Sequence, residues 1–476
     1  MPAELLARFP DQRVLVLGDA LLDAWVTGKP SRLCREGPVP VVDVDGTRYA
    51  PGGAGNTAVN VAALGGQVTL VAAVGPDDAG HRLRQGLTAV VPHLVVVPGR
   101  STPVKRRLLA DGQVLARLDE GDTDPLPAAA AWRLIELADR EIHRHDALIV
   151  CDYGAGTLTG PVRDWLAEVR QRLPLLVVDA HDARGWADLA PDLVTPNFTE
   201  AAEAIDTGPV PRQRDRWVAE HAEELTAALR AGTVAVTLDA DGAVLVERGV
   251  ATARTRTRPV PAARTTGAGD CYVAAFTLAL AAGGTPAEAG ELAQRAAEIA
   301  VAGTGTAVCT AAELGAATAD PPGLVGPAEL ADLVTAHRAQ GRRIVFTNGC
   351  FDVLHRGHVG YLEEAARLGD VLIVAVNSDA SVRRLKGGDR PVNPIEDRVA
   401  VLAGLGSVDH VVVFDEDSPR DLIGLVRPDL YVKGGDYPPE LIPEAALVRE
   451  LGGEVRALDY LPDRSTSRLI ERIRSR

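Results

Sequence analysis

Thr347-Asn-Gly-Cys-Phe-Asp-Val-Leu-His355-Arg-Gly-His358 closes a short apolar run at residues 344–347 and leads into a stretch with helical periodicity. A strand that turns through a glycine straight into a helix is the repeating unit of parallel α/β sheets. The H-x-G-H spacing sets two imidazoles beside one helix N-terminus, and Gly357 between them lets an anion approach the backbone. Two N–H donors backed by the helix dipole suit charge developing on a nucleotide α-phosphate. Zinc is the competing ligand, but the segment lacks the paired cysteine–histidine spacing of a zinc site.

Working outward, the same alternation runs through the whole chain. Downstream strands are predicted at 371–376, 411–414 and 430–432. Upstream strands are predicted at 14–17, 68–74, 148–151, 175–178, 193–195 and 234–238, with helical patterns such as 128–143 and 217–230 between them. Such alternation predicts an α/β fold with mainly parallel sheets. Residues 39–44 and 104–118 alternate more and sit among loops, which predicts a small antiparallel β flap. A Pro-Pro-Gly cluster at 321–323 among small residues reads as a linker. The predicted division is a first domain at 1–315, a linker at 316–326 and a second domain at 327–476.

The chain has 476 residues, 46% hydrophobic and 24% charged, which is ordinary for a globular protein and excludes bulk disorder, collagen and coiled coil. The net charge of −15 argues against general binding of nucleic acid or an anionic membrane surface. Five scattered cysteines favour a reducing compartment. The first residues carry no signal-peptide pattern, and the longest apolar helix candidate, 271–282, is too short to span a bilayer. A cytoplasmic location is expected. Four of the 50 cations are lysines (Lys29, Lys105, Lys386, Lys433), so each lysine stands out against an arginine background.

Thr266-Gly-Ala-Gly-Asp270 precedes the strongly apolar stretch 271–282. Glycines at a helix start expose amides to an anion, and a carboxylate beside that anion can take a proton from an attacking hydroxyl. Alone, the segment reads equally as a Gly-rich turn with an aspartate cap. Other segments share that ambiguity: Pro51-Gly-Gly-Ala-Gly-Asn56 with Asn60, Asp19 and Asp23 around the first strand, and Asn197 with Glu200 after a strand.

Together and in this order, these segments closely resemble the ribokinase-like (PfkB-type) sugar kinases, over residues 12 to about 312. The resemblance implies a catalytic base at Asp270 and an anion hole for ATP at Gly267, Ala268 and Gly269. It implies sugar contacts from Asp19, Asp23, Gly52, Gly53, Asn56 and Lys105. Asn197 and Glu200 are implied to hold Mg2+ through water, with Thr237 near the nucleotide. Three positions depart from the family pattern: Arg264 replaces an acidic residue, Asp179-Ala180-His181 replaces Asp-Pro-Lys, and Ala155 replaces a lysine. An arginine at 264 cannot ligate a monovalent cation, so kinase turnover independent of potassium is expected.

The Thr347–His358 string resembles the signature of cytidylyltransferase-like nucleotidyltransferases, which implies a Rossmann-like second domain. The resemblance implies catalytic roles for His355, His358 and Lys433. It implies nucleotide and acceptor contacts from Thr347, Asn348, Gly349, Phe351, Asp352, Gly357, Asn377, Asp379, Lys386, Arg390, Arg398, Gly434, Asp436, Ser465 and Thr466. Lys386 and Arg390 are expected in a Gly-rich loop.

The pair of domains resembles the family of bifunctional heptose 7-phosphate kinase/heptose 1-phosphate adenylyltransferases. Gly37-Pro-Val-Pro-Val-Val42, Ala375-Val-Asn-Ser-Asp-Ala380 and Arg390-Pro-Val-Asn-Pro394 carry that likeness. It implies two ATP-dependent steps on sugar phosphates, a separate phosphatase acting between them, and a homodimer. A related fusion acting on another sugar phosphate stays open. So does an adenylyltransferase with a non-catalytic kinase-like domain, although intact Asp270, Asn197 and Glu200 speak against it.

Overall fold

The computed structural model describes residues 2–111, 113–208, 213–255, 267–302, 306, 308–317, 324–434 and 442–458. The chain divides into two compact units, Met1–Thr318 and Ala319–Arg476.

The first unit is built on a nine-stranded sheet in the order Val250–Thr255, Ala243–Glu247, Thr233–Thr237, Leu193–Val194, Leu176–Ala180, Ala147–Asp152, Arg13–Gly18, Gln67–Val74, Val91–Val96. The run from Thr233–Thr237 to Val91–Val96 is parallel, and the remaining two strands are antiparallel. Parallel strands are covered on both faces, which is why they read as unbroken apolar runs. Val14 and Val16 pack into one layer with the helix Ala268–Ala281. Leu15 and Leu17 pack into the opposite layer with the helices Ala128–Ile142 and Gly160–Val169.

The flap is a four-stranded sheet of Pro40–Gly53, Ala20–Leu33, Val104–Ala110 and Gln113–Glu120, in that order. It is mixed rather than antiparallel, because Ala20–Leu33 pairs parallel with Val104–Ala110. The expected helix at 217–230 is two helices, Arg214–Glu220 and Ala222–Leu229. The break falls at His221, whose backbone leaves helical geometry (φ −107°, ψ 18°) while its ring stacks on Trp217. The strands Val91–Val96, Ala243–Glu247, Val250–Thr255 and Glu454–Leu458 were not expected from sequence.

The second unit has a six-stranded, all-parallel sheet in the order Leu324–Val325, His410–Phe414, Val371–Asn377, Ile344–Gly349, Leu430–Gly434, Glu454–Leu458. Within the stretch read as a linker, residues 318–323 lie outside the described residues. Ala311–Ala317 is helical, and Leu324–Val325 is the edge strand of this sheet.

Candidate active sites

Gly267 sits at φ 87°, a left-handed conformation that glycine reaches without penalty, and it caps the helix Ala268–Ala281. That turn brings Asp270 into the first helical turn. Asn60 donates to the carbonyl and Oδ1 of Asn56, at 3.0 and 3.1 Å. This fixes the Asn56 amide so that Nδ2 donates to Asp270 Oδ2 at 2.5 Å. The Tyr153 hydroxyl lies 2.5 Å from Asp179 Oδ2 and 3.3 Å from Asp270 Oδ1, linking the two carboxylates. Burial raises both acids, Asp270 to about 7 and Asp179 to about 6, and the Asp179 charge adds to the rise at Asp270.

A cavity of about 180 Å³ is lined by Asp270, Gly269, Asp179, Asn197, Glu200 and Thr237, among others. Five of these six were predicted from separate segments. Asp179 was missed as a site residue, although it lies near the C-terminal end of a central strand, where parallel sheets gather ligands. Asn197 and Glu200 form a reciprocal capping box at the helix Phe198–Ala204, with Glu200 Oε1 2.9 Å from His181 Nδ1. Glu200 and Asn197 carry oxygen donors of the kind Mg2+ takes, and no cluster of three or more acidic, histidine or cysteine side chains placed to hold a metal lies among the described residues. The Glu200 oxygens already accept from Asn197 N and meet His181, which fits contact through water.

Gly52 and Gly53 make room for their neighbours: a Cβ at Gly52 would fall 2.5 Å from Asp23 Oδ2, and one at Gly53 would fall 2.5 Å from the Asp19 carbonyl. Asp23 pairs with Arg107 at 2.6 Å. Asp19 departs from expectation. Its buried carboxylate accepts the backbone amides of Tyr153, Ala155 and Thr157, so it holds that loop instead of facing a sugar. Arg264 and Thr266 lie outside the described residues.

In the second unit His355 caps the helix Arg356–Ala366, and its Nδ1 accepts the Gly357 amide at 3.1 Å. That bond leaves the proton of the neutral ring on Nε2. The His355 and His358 rings lie 4.0 Å apart. Burial first, and nearby positive charge such as Lys386 after it, press His358 down to about 4, so it is a neutral imidazole at pH 7. Phe351, held at φ 44°, sets its ring 5.5 Å from His358 and against Gly349. Lys433 Nζ donates to Asn348 Oδ1 at 2.7 Å, and the Tyr431 hydroxyl donates to the same oxygen at 2.6 Å. Glu444 accepts from Ser418 at 2.9 Å and lies 3.4 Å from the Tyr431 hydroxyl. Burial lowers the Lys433 ammonium below the usual lysine range. Gly434 ends the strand that carries Lys433. Tyr431 and Glu444 have no motif around them and were missed.

Several predicted ligand contacts are framework instead. Thr347 is fully buried and bonded to the Tyr361 hydroxyl at 2.6 Å. Asn377 is buried against Ser381. The Arg398 guanidinium is inside the fold, donating to the carbonyls of Cys350, Asn377 and Asn393 and pairing with Asp379 at 2.6 Å. Thr347 and Asn377 tie strands to the helices that follow them, and Arg398 ties its helix to two loops and a strand end. Asp352 is buried and accepts from Arg390 Nε and from the amides of Val392 and Asn393. Lys386 ends the helix Asp379–Lys386 rather than lying in a loop. Arg390 Nη2 is buried with no hydrogen-bond partner among the described residues. Asp436, Ser465 and Thr466 lie outside the described residues.

Residues 11–313 match the pfkB family carbohydrate kinases, and residues 346–472 match the cytidylyltransferase-like family. The Bifunctional protein HldE of Nitrosococcus oceani is 42% identical, covering 98% of this chain and 99% of that one. That of Halorhodospira halophila is 42% identical over 99% of both. The chain belongs to the HldE family. Like its HldE relatives it is a bifunctional kinase and nucleotidyltransferase, and both domain types imply use of ATP. The phosphofructokinase-2 of Escherichia coli in complex with substrates and products covers 65% of this chain and 98% of its own, at TM-score 0.55 and 20% identity. A putative ribokinase from Agrobacterium tumefaciens gives 0.51 at 22% identity, covering 65% of this chain and 97% of its own. These likenesses show a ribokinase-like fold for the first unit. No helix among the described residues is long and apolar enough to cross a membrane.

Proposed function

We propose that the kinase unit transfers a phosphoryl group from ATP to the anomeric oxygen of D-glycero-β-D-manno-heptose 7-phosphate, and that the second unit adenylylates heptose 1-phosphate to ADP-heptose and pyrophosphate. Membership of the HldE family supports the two activities. One observation carries the chemistry: Asp270 lines a cavity together with Gly269, Asn197, Glu200 and Thr237.

In the first step the anomeric hydroxyl attacks the γ-phosphorus, the bond to the β-phosphate oxygen breaks, and Asp270 takes the hydroxyl proton. A carboxylate with a pKa of about 7 suits a proton acceptor working near neutrality. Asn56 fixes one Asp270 oxygen and leaves the other beside Tyr153. The amides at Gly267–Gly269 face the transferring group at the helix start. Asn197 and Glu200 would hold Mg2+ through water, and the ion supplies neutralisation of phosphate charge.

In the second step an oxygen of the sugar 1-phosphate attacks the α-phosphorus and pyrophosphate leaves, with no protein nucleophile. His355 Nε2–H and neutral His358 supply donors to the α-phosphate, and Lys433 supplies a fixed cation. The buried Nη2 of Arg390, without a partner among the described residues, suits a phosphate oxygen. Between the steps the 7-phosphate must leave, which requires a separate phosphatase. The two chemistries follow the division into residues 1–315 and 327–476, with the helix Ala311–Ala317 completing the first part and the edge strand Leu324–Val325 belonging to the second. Exposed Leu33, Val39, Val44, Val114 and Leu118 on the flap support a homodimer.

Incubation with heptose 7-phosphate, ATP and magnesium, then with an added sugar-bisphosphate phosphatase, tests the reading by product mass. Heptose 1,7-bisphosphate followed by ADP-heptose is expected. ATP consumption without the bisphosphate would refute it.

A further inference from the structure

Asp270, Tyr153 and Asp179 stand in line on the wall of the kinase cavity. Three elements deliver them: the first turn of the helix Ala268–Ala281, the residue after the strand Ala147–Asp152, and the strand Leu176–Ala180. Taking a proton from the sugar needs Asp270 alone, so the other two call for an account of their own.

The hydrogen bonds give this line a direction. Asn56 Nδ2 donates to Asp270 Oδ2, which leaves Oδ1 for the sugar proton. The Tyr153 hydroxyl lies 3.3 Å from that Oδ1 and 2.5 Å from Asp179 Oδ2. A hydroxyl has one proton to donate and two lone pairs. The nearer carboxylate takes the proton, so the phenol turns a lone pair towards Asp270. Asp179 Oδ1 accepts from Thr195 at 3.1 Å, which fixes the far end. The phenol is held from behind as well: the Asp19 carboxylate accepts the amides of Tyr153, Ala155 and Thr157, and Arg100 donates to the Ala155 carbonyl. The charges facing the line are Asp23 at the Asp270 end, and Glu200 with His181 at the Asp179 end. The two carboxyls, at about 7 and about 6, differ by about one unit, so a proton moves between them at a cost of about tenfold in equilibrium.

We propose that Tyr153 and Asp179 reset the kinase base: the proton that Asp270 takes from the sugar hydroxyl passes through the Tyr153 hydroxyl to Asp179 while the products still fill the cavity. The proposal rests on the kinase reading above and deepens it. The Asp270 Oδ1–H bond breaks and that proton joins the Tyr153 oxygen, while the Tyr153 O–H bond breaks and its proton joins Asp179 Oδ2. Tyr153 ends neutral, Asp179 ends protonated, and Asp270 is again a carboxylate. Asp179 gives its proton to water once the cavity empties. The gain is in product release. A protonated Asp270 donates a hydrogen bond to the newly phosphorylated oxygen and holds the product, whereas an ionised Asp270 repels the new phosphate. Tyr153 and Asp179 are positioning residues that serve the reaction through Asp270.

Rapid-quench kinetics of the full chain with heptose 7-phosphate, ATP and magnesium separate the first turnover from the steady state. For Tyr153→Phe and Asp179→Asn, the first bisphosphate is expected to form within about threefold of the wild-type rate, while steady-state turnover falls about tenfold or more. The ratio of first-turnover to steady-state rate therefore rises in both variants, with adenylyl transfer by the same chains unchanged. Asp179→Asn keeps a hydrogen-bonding group beside Tyr153 but cannot hold the extra proton. An unchanged ratio in that variant, with an unchanged melting curve, overturns the proposal. A first turnover slowed as much as the steady state in both variants overturns it too, because Tyr153 and Asp179 would then only shape the base. Wild-type enzyme that forms no bisphosphate in the first turnover overturns the heptose-kinase reading and the reset with it, whereas normal wild-type bisphosphate formation with unchanged ratios in the variants overturns the reset alone.

Discussion

Replacing Asp270 by Asn should stabilise the kinase unit while disabling it, and the gain should depend on pH. Burial and the Asp179 charge raise the Asp270 carboxyl from 3.8 to about 7. Between those values the folded protein keeps a proton that the unfolded chain has released. Stability therefore falls as pH rises across this window, and the cost is complete above about pH 7. Asparagine carries no such proton. Going from pH 5 to pH 8, the wild-type unit should lose about 2 units of linkage that the variant does not, or roughly 3 kcal/mol. The amide's own changes in hydrogen bonding with Asn56 and Tyr153 are present at both pH values and cancel. Because Asp179 and Asp270 are joined through Tyr153, the midpoint belongs to the pair. For a unit of this size, about 2 °C per kcal/mol gives a widening of roughly 5 °C in the gap between the two melting temperatures. Calorimetry of the full chain at pH 5 and pH 8 reads it. Kinase turnover should fall by ~10²-fold or more, with adenylyl transfer retained. A melting-temperature gap that is the same at both pH values would refute the burial argument, and near-normal kinase turnover would remove Asp270 as the base.

His355→Ala and His358→Ala should each slow pyrophosphate release from ATP and heptose 1-phosphate by ~10²–10³-fold, the loss of one oxyanion-type donor, while kinase turnover persists; stoichiometric zinc lost in both variants would contradict the donor role. Glu444→Gln should weaken the support of Lys433 through Tyr431 and Asn348, and should lower the Lys433 pKa further by removing a nearby negative charge. The alkaline limb of adenylyl-transfer kcat should then move to lower pH, and an unmoved limb would show that Glu444 only packs. Kinase turnover is expected to be largely independent of potassium, with Arg264→Asp gaining activation. Potassium titrated back into sodium-free, potassium-free buffer decides it, and strong activation of the unmodified enzyme would sink the idea.

The sequence by itself determined the two α/β units and most of their chemistry, because both depend on local features. Continuous apolar runs mark strands buried on both faces. Gly267 before Asp270, and Gly357 between His355 and His358, mark helix starts that meet anions. Three of the missed strands, Val91–Val96, Val250–Thr255 and Glu454–Leu458, are sheet edges, and in Val250–Thr255 the apolar signal is weak because only one face is buried; the fourth, Ala243–Glu247, is buried inside the sheet.

What only the tertiary structure decided is which polar groups face a ligand and which hold the frame. Asp19 and Asp23 lie four residues apart around one strand end, yet Asp19 is spent on three backbone amides and Asp23 on a flap arginine. Arg398 and Arg390 are both arginines near one loop, yet one is consumed by three carbonyls and Asp379 while the other keeps a buried donor with no partner among the described residues. Asp179, Tyr153, Tyr431 and Glu444 join the sites only because distant strands and helices bring them there. The physical reason is that a buried polar group must find a partner wherever the fold supplies one, and partners far apart in the chain, 214 residues for Asn56 and Asp270, leave no trace in local spacing.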